Sequence, residues 1–454
     1  LSVAVSVSLH SRVFSWLDQY AGNERNLALG YSGGGDSHAL LCLVTGWAAS
    51  RDTAIHALIV DHGLRSESAD EAEQAASAAR RLGASARILC WKGAKPKTGV
   101  QAAARHARHA LLAEATVSVG SNKLLLAHTL DDQNETVWMR LQAGGGWRSC
   151  VGMLGDAPSP SWPNGQSIRL LRPLLNTRRE SLRRLMDDRS ERWIDDPSNE
   201  DTRFTRIAVR KYLTALEENG FAVSRLSELT QELQALRGRE NILAGRLAEN
   251  AVEFQDWGGA KIDQARIQTA VKVIGAQVLG AAMLAVSGQG APTSKAVVEA
   301  MLRAVLGDVA YCGGGARLVC WRGDMWLIRD LGALTGRVDQ PAQSDQLLLA
   351  GQRNIWDGRY EIETPMSDMC AGPLGPRYEG LPDRRILQTI PGAARPGLLT
   401  IRRDGTGKVL AIAGCLDCPD VKIRSLAPAR LASRLNLGVV ATEKTTVETN
   451  VSAN

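Results

Sequence analysis

The sequence predicts an α/β protein: a doubly wound parallel sheet, Rossmann-like, followed by a helical region and a smaller α+β C-terminal part. Three observations carry that reading. Short apolar runs alternate with helical patterns from Leu27 to about Cys150. A glycine-rich turn, Ser32-Gly33-Gly34-Gly35-Asp36-Ser37, joins the first apolar run to the first helical one. After Gly288 the character changes, first to a hairpin and then to short strand-like runs rich in Gly and Pro.

Taken in order, Asn26 to Tyr31 reads as a buried strand and Ser37 to Trp47 as the helix after the turn. Ala54 to Val60 is a second strand, and Ser68 to Leu82 is Ala-rich and helical, with Ser68 as its cap. Ala86 to Cys90, Gln101 to Ala115 and Lys123 to Ala127 continue the alternation as strand, helix and strand. Apolar runs without a polar face imply a parallel sheet covered on both sides. Residues 155–170, with Pro158, Pro160 and Pro163, read as a loop. Residues 176–192 form a basic helix carrying Arg178, Arg179, Arg183, Arg184, Arg189 and Arg192. Residues 206–250 place Leu213, Leu216, Leu226, Leu229, Leu233 and Leu236 at helical spacing. Leu318 to Trp321 and Met325 to Ile328, split by Arg322-Gly323-Asp324, read as a hairpin.

At 454 residues the chain exceeds one ordinary core. The changes of character divide it at 1–210, 211–335 and 336–440, with a polar tail, 441–454, expected to be disordered. Hydrophobic residues at 44% and charged residues at 22% are ordinary for globular proteins. A net charge of +6 neither demands nor excludes a nucleic-acid partner, because phosphate contacts need clustered rather than abundant Lys and Arg. Eight scattered cysteines in so long a chain point to free thiols in a reducing compartment, and the lone Cys415–Cys418 pair is half a zinc site at best. No uncharged apolar run reaches about 18 residues, and the stretch from Val271 to Val286 reads as a buried helix. Leu1 to Leu9 lacks the basic start and cleavage site of a signal peptide. A cytoplasmic protein with no membrane partner is expected.

The turn carries the clearest chemistry. Glycines allow positive φ and a close backbone approach, and N–H groups at a helix start favour an anion such as phosphate. Ser32 and Ser37 add hydroxyls. Asp36 would repel bare phosphate but suits a Mg²⁺ shared between carboxylate and phosphates. The loop lacks the lysine of a Walker A motif and is not GxGxxG. Strand ends in such a sheet line the ligand crevice, which singles out Asp61, His62 and Arg65 at one end and His128, Asp131, Asp132 and Glu135 at another. Asp131 and Glu135 share a helix face and could hold an ammonium group or a metal, or Asp131 and Asp132 could simply cap their helix. Arg105 and Arg108, three apart, can face a common anion. His38 and His56 have no evident partner and read as structural.

The intact SGGxDS pattern at Ser32–Ser37 resembles the N-type ATP pyrophosphatase (PP-loop) family. Four further segments, in order, resemble the tRNA(Ile)-lysidine synthase branch: Val60-Asp61-His62-Gly63-Leu64-Arg65, Gln101 to His109, Ala127 to Thr136, and Trp193 to Asp201 with its Asp195-Asp196-Pro197-Ser198-Asn199 turn. The likeness is strong over about residues 25–210. His109 stands where that family usually has Tyr, and Ala143-Gly144 where it has Arg-Gly. The resemblance implies a ligase that adenylates the wobble cytidine of an isoleucine tRNA with a CAU anticodon and joins L-lysine to it, releasing AMP and pyrophosphate. It implies ATP and Mg²⁺ at Ser32, Gly33, Gly34, Gly35, Asp36, Ser37, Asp61 and His62, with Asp36 on the metal. Catalytic roles fall to Asp36, Arg105, Asp131 and Glu135, the last two orienting lysine, and substrate contacts to Arg108, His128, Asp132, Arg178 and Arg179. A homodimer is compatible with this reading. A tRNA cytidine thiolase of the same fold, or a tRNA- or nucleotide-binding protein without turnover, are the alternatives.

Overall fold

The computed structural model describes residues 8–193 except 94 and 97, then 205–336 and 345–437. The Asp195–Asn199 turn and the 441–454 tail lie outside the described residues. The chain divides into two units, Leu1–Glu240 and Asn241–Asn454.

The first unit opens with α1 (Leu9–Ala21), β1 (Asn26–Gly30), α2 (Gly35–Ala48), β2 (Ala54–Asp61), α3 (Ser68–Arg81), β3 (Ser85–Cys90), α4 (Val100–Ser118), β4 (Lys123–Leu125) and α5 (Leu130–Gln142). It continues with β5 (Asp156–Pro158), β6 (Arg169–Leu171), α6 (Arg179–Asp188) and α7 (Thr205–Glu218), while α8 (Ser224–Ala251) runs past the division. Its sheet has the order β3-β2-β1-β4-β6-β5, parallel except for β5. Alternation along β1 sends Leu27 and Leu29 to a core shared with α1, α2, α3 and α6, and Ala28 to one shared with α4. β1 lies between β2 and β4, so the chain reverses its direction of strand addition there. Ligands of open α/β sheets bind at the carboxyl ends beside such a reversal.

Three local expectations change. Residues 155–170 end in two strands, because buried Ile168, Leu170 and Leu171 carry β6 alongside β4. Pro158 is tolerated because β5 is the sheet's edge. Ser68 is the first helical residue of α3 rather than its cap, and its hydroxyl donates to the Arg65 carbonyl at 2.9 Å. Residues 211–240 fall with the first unit, not beyond a boundary at 210: Val209, Leu213, Val223 and Leu226 of α7, α8 and their link pack with Trp138 and Met139 of α5.

In the second unit β7 (Val252–Phe254), β8 (Ala260–Ile262), α9 (Gln264–Thr269), α10 (Lys272–Ser287), α11 (Lys295–Leu306), β9 (Tyr311–Gly313), β10 (Ala316–Trp321), β11 (Asp324–Arg329) and α12 (Leu331–Thr335) come first. The sheet order is β7-β8-β11-β10-β9, and β10–β11 is the expected hairpin, turning on positive φ at Arg322 and Gly323. α10 is buried along most of its length, which accounts for its apolar sequence. No described helix is long and apolar enough to cross a membrane. β12 (Gln346–Leu347), β13 (Asn354–Trp356), β14 (Tyr360–Glu363), β15 (Met369–Pro373), β16 (Leu399–Arg403), β17 (Val409–Ile412) and β18 (Lys422–Ser425) form two small sheets before α13 (Ala427–Leu435).

Candidate active site

Parallel registers bring the strand ends level. The N–H of Tyr31 donates to Leu58 O, that of Trp91 to Asp61 O, and that of Leu126 to Leu171 O. The turn after β1, the Asp61-His62 segment at the end of β2 and the His128 segment after β4 therefore open onto one edge.

The turn is held from within. Ser37 Oγ donates to Gly34 O at 2.9 Å, lies 3.0 Å from Ser32 Oγ, and accepts from Ser32 N. Gly33 has φ +80°, and a Cβ on Gly35 would stand 3.2 Å from Trp193 Nε1. The N–H groups of Gly33, Gly34, Gly35 and Asp36 meet no protein acceptor among the described residues, and they crown the start of α2. That is an anion cradle.

Beside it lies a cluster of charge. Arg179, only 15% exposed, reaches from the start of α6 with Nε 2.9 Å from Asp36 Oδ2, Nη2 3.0 Å from Asp132 Oδ1 and Nη1 3.9 Å from Glu135 Oε1. Its backbone N–H donates to Asp131 Oδ2 at 2.7 Å. Glu135, 2% exposed at its side chain, accepts from Arg210 Nε at 2.7 Å, while its Oε2 is buried with no partner among the described residues. Asp132 also closes a capping box with Thr129 at the start of α5. Burial raises the pKa of Asp36 against the pull of Arg179, and raises that of Glu135 against Arg210. At Asp132 burial is outweighed by Arg179 and the Thr129 N–H, and the carboxyl is held below its usual value.

The other side of the cleft is basic. Arg105 and Arg108 project from α4 and are exposed, with no carboxylate partner among the described residues. With His62, Gln101, His109 and His128 they line a cavity of about 260 Å³. His62 Nδ1 is buried with no partner among the described residues, and burial, aided by Arg108, lowers its pKa. Asp61 Oδ1 accepts from Gly63 N at 2.8 Å. A second cavity, about 480 Å³, is lined by Tyr31, Ser32, Ile59, Asp61, His62 and Arg108 among others.

The structure thus gathers the loop, Asp61, His62, Arg105, Arg108, His128, Asp131, Asp132 and Glu135 around one edge. Arg178 and Arg179, expected to contact substrate, both have partners within the protein. Arg178 pairs with Glu217 at the surface, 2.9 Å away, and Arg179 is committed to carboxylates. Of the arginines in α6, Arg179 turns inward while Arg183 and Arg184 stay exposed, a difference that spacing alone did not resolve. His38 does have partners: its Nδ1 lies 2.9 Å from the Tyr31 hydroxyl and its Nε2 3.2 Å from Glu191. His56 bonds Ser85 and Asn26 within the sheet. Arg172 and Arg210 were missed. Arg172 follows β6, so its signal was the strand hidden in an apparent loop; Arg210 carried none.

Comparison with known proteins places this geometry. A family model described as a PP-loop domain matches residues 8–217. A protein of Caulobacter vibrioides named tRNA(Ile)-lysidine synthase is 33% identical over 420 residues, covering 90% of this chain and 93% of its own. One of the same name from Hyphomonas neptunium is 32% identical, covering 71% and 86%. Another from Rhizobium meliloti is 42% identical over 193 residues, covering 41% and 43%.

Proposed function

The chain belongs to the tRNA(Ile)-lysidine synthase family, and from that membership we propose how its residues share the reaction. It is an ATP-dependent tRNA-modifying ligase. In the first step O2 of the wobble cytidine attacks the α-phosphorus of ATP, and the bond to pyrophosphate breaks. The free N–H groups of the loop, the start of α2 and the hydroxyls of Ser32 and Ser37 grip that leaving group. The nucleoside half of ATP occupies the larger cavity beside Asp61 and His62. Arg105 and Arg108 face the anionic α-phosphate and the tRNA backbone.

Asp36 fits Mg²⁺, which characteristically takes one or two carboxylates plus phosphate oxygens. Its Oδ2 is engaged by Arg179, and its other oxygen has no protein donor among the described residues. When bound there, the ion neutralises phosphate charge. In the second step the ε-amine of L-lysine attacks C2, and the bond to AMP breaks. Asp131 and Glu135 orient the amino acid, and His128 and Asp132 line its approach. The observation that carries this assignment is the buried Oε2 of Glu135, an acceptor that has no donor among the described residues. Asp36, Asp132 and Glu135 meet the guanidinium groups of Arg179 and Arg210, and Asp131 accepts from the Arg179 backbone N–H, so the carboxylates outnumber the guanidinium groups there.

The thiolase alternative finds less support. Cys42 and Cys150 are buried, and among the described residues no three metal-ligating side chains are grouped to hold a cluster. The reaction is placed in the cytoplasm, with isoleucine tRNA as macromolecular substrate. Purified protein, labelled lysine, ATP and an isoleucine tRNA transcript test the whole reading. Label should enter tRNA only when ATP is present. Incorporation without ATP, or none with every component supplied, would overturn it.

A further inference from the structure

The basic side of the cleft contains a group whose hydrogen-bonding sense is fixed. His128 follows β4, and its Nδ1 lies 3.2 Å from Nε of Arg172, which follows β6. A guanidinium has donors and no acceptor. Nδ1 of His128 is therefore the acceptor, and the ring proton of the neutral imidazole sits on Nε2. Arg172 is itself anchored, since its Nη1 donates to Leu154 O at 2.8 Å.

Burial, reinforced by the charge of Arg172, holds His128 at about 3, so the ring is neutral at pH 7; Asp132 pulls the other way, and Arg108 and Arg105 act with Arg172. Nε2 has no partner among the described residues, and the ring lines the smaller cavity, which has room for a pyrimidine base.

A free histidine can offer its second nitrogen as donor or acceptor by moving one proton. Arg172 removes that choice. Cytosine and uracil differ in the group such a nitrogen would meet: ring N3 is an acceptor in cytosine and carries a proton in uracil. A phosphate gains little from this donor, since Arg105 and Arg108 already supply permanent charge and a neutral imidazole adds none.

We propose that Arg172 is a positioning residue that locks His128 as an Nε2–H donor, and that this donor reads N3 of a cytosine and rejects a uracil. The inference rests on the proposed adenylation of a cytidine, and it seats that base in the smaller cavity, beside the approach of lysine. A uracil there would set two N–H groups against each other and leave both unpaired, the arrangement by which polar sites discriminate most strongly.

Two measurements test it. The first uses full-length protein carrying ¹⁵N-histidine, with His128 assigned by comparison with His128→Gln. Long-range ¹H–¹⁵N correlations at pH 7 should show the Nε2–H tautomer; an Nδ1–H ring or an imidazolium would overturn the proposal without reference to activity. The second sets two isoleucine tRNA transcripts, with C or U at the wobble position, in competition for adenylation. Wild type should favour C by about 100-fold or more. Arg172→Met should narrow that ratio at least about tenfold, and Arg172→Lys, which also only donates, should keep most of it. An unchanged ratio in Arg172→Met, or a wild type that adenylates both transcripts alike, overturns the specificity role alone. A wild type that adenylates neither overturns the functional reading beneath it.

Discussion

Arg179 shows how one side chain can organise a site. Its guanidinium meets Asp36, Asp132 and Glu135, and those carboxylates raise its own pKa despite burial. Replacing it by Met leaves buried negative charge without its partner, which costs about 3–5 kcal/mol in comparable settings. The carboxyl groups would then have folded pKa values above their unfolded ones. Stability would be retained at low pH and lost as pH rises through those values. Urea denaturation at pH 5 and pH 8 should show a larger deficit for Arg179→Met at pH 8; an equal deficit would contradict the charge account. His128 gives the opposite sign. Its folded pKa, about 3, lies below the ordinary 6.5, so between these values the unfolded chain binds the extra proton. Stability should fall as pH drops from 6.5 to 5, by roughly 1–2 kcal/mol for this group. His128→Gln should flatten that dependence in a pH series of melting curves, and an unaltered slope would show that the ring titrates normally. The residue types of the cleft were legible in sequence because acids and histidines at strand ends have few structural uses. The partners were not: Arg179 sits among similar arginines, and only the fold reveals which one turns inward.

At the scale of elements, α5 carries most of the acidic string and its start is fixed by side chains. Thr129 accepts from Asp132 N, and Asp132 Oδ2 accepts from Thr129 N at 2.8 Å. Asp132 therefore serves the helix start through Oδ2 and meets Arg179 through Oδ1, so the capping reading of the sequence holds alongside its place in the charge cluster. Thr129→Ala should remove about 1 kcal/mol of stability, measured by denaturant titration. No loss at all would mean the cap is replaced by solvent. The strand–helix alternation up to α5 was legible because its apolar runs are continuous and its turns are rich in glycine. β5 and β6 were hidden by their length of three residues each and by the prolines around them. Their consequence reaches the site, because β6 delivers Arg172.

For the whole molecule, the division at residue 240 makes a prediction about fragments. Residues 1–240 should fold cooperatively and bind ATP, since the unit contains the sheet, the loop and the α7–α8 packing on α5. A fragment ending at Tyr212 loses Leu213, Val223 and Leu226 from that packing and should melt at lower temperature. Equal melting temperatures would place those residues outside the unit's stability. The sequence signalled a change of character near 210, but helical periodicity alone cannot say which neighbour a helix packs against.

The account turns on a division of labour: the glycine loop serves adenylation and the acidic string serves lysine. Glu135→Gln tests it most directly, with adenylated tRNA and lysine transfer measured separately. Loss of a charge-assisted contact of about 1.5–3 kcal/mol should raise the lysine concentration required roughly tenfold to a hundredfold, while adenylated tRNA still forms. Loss of both steps in equal measure would assign Glu135 to ATP or to the fold, through Arg210 and Arg179, and would contradict the account.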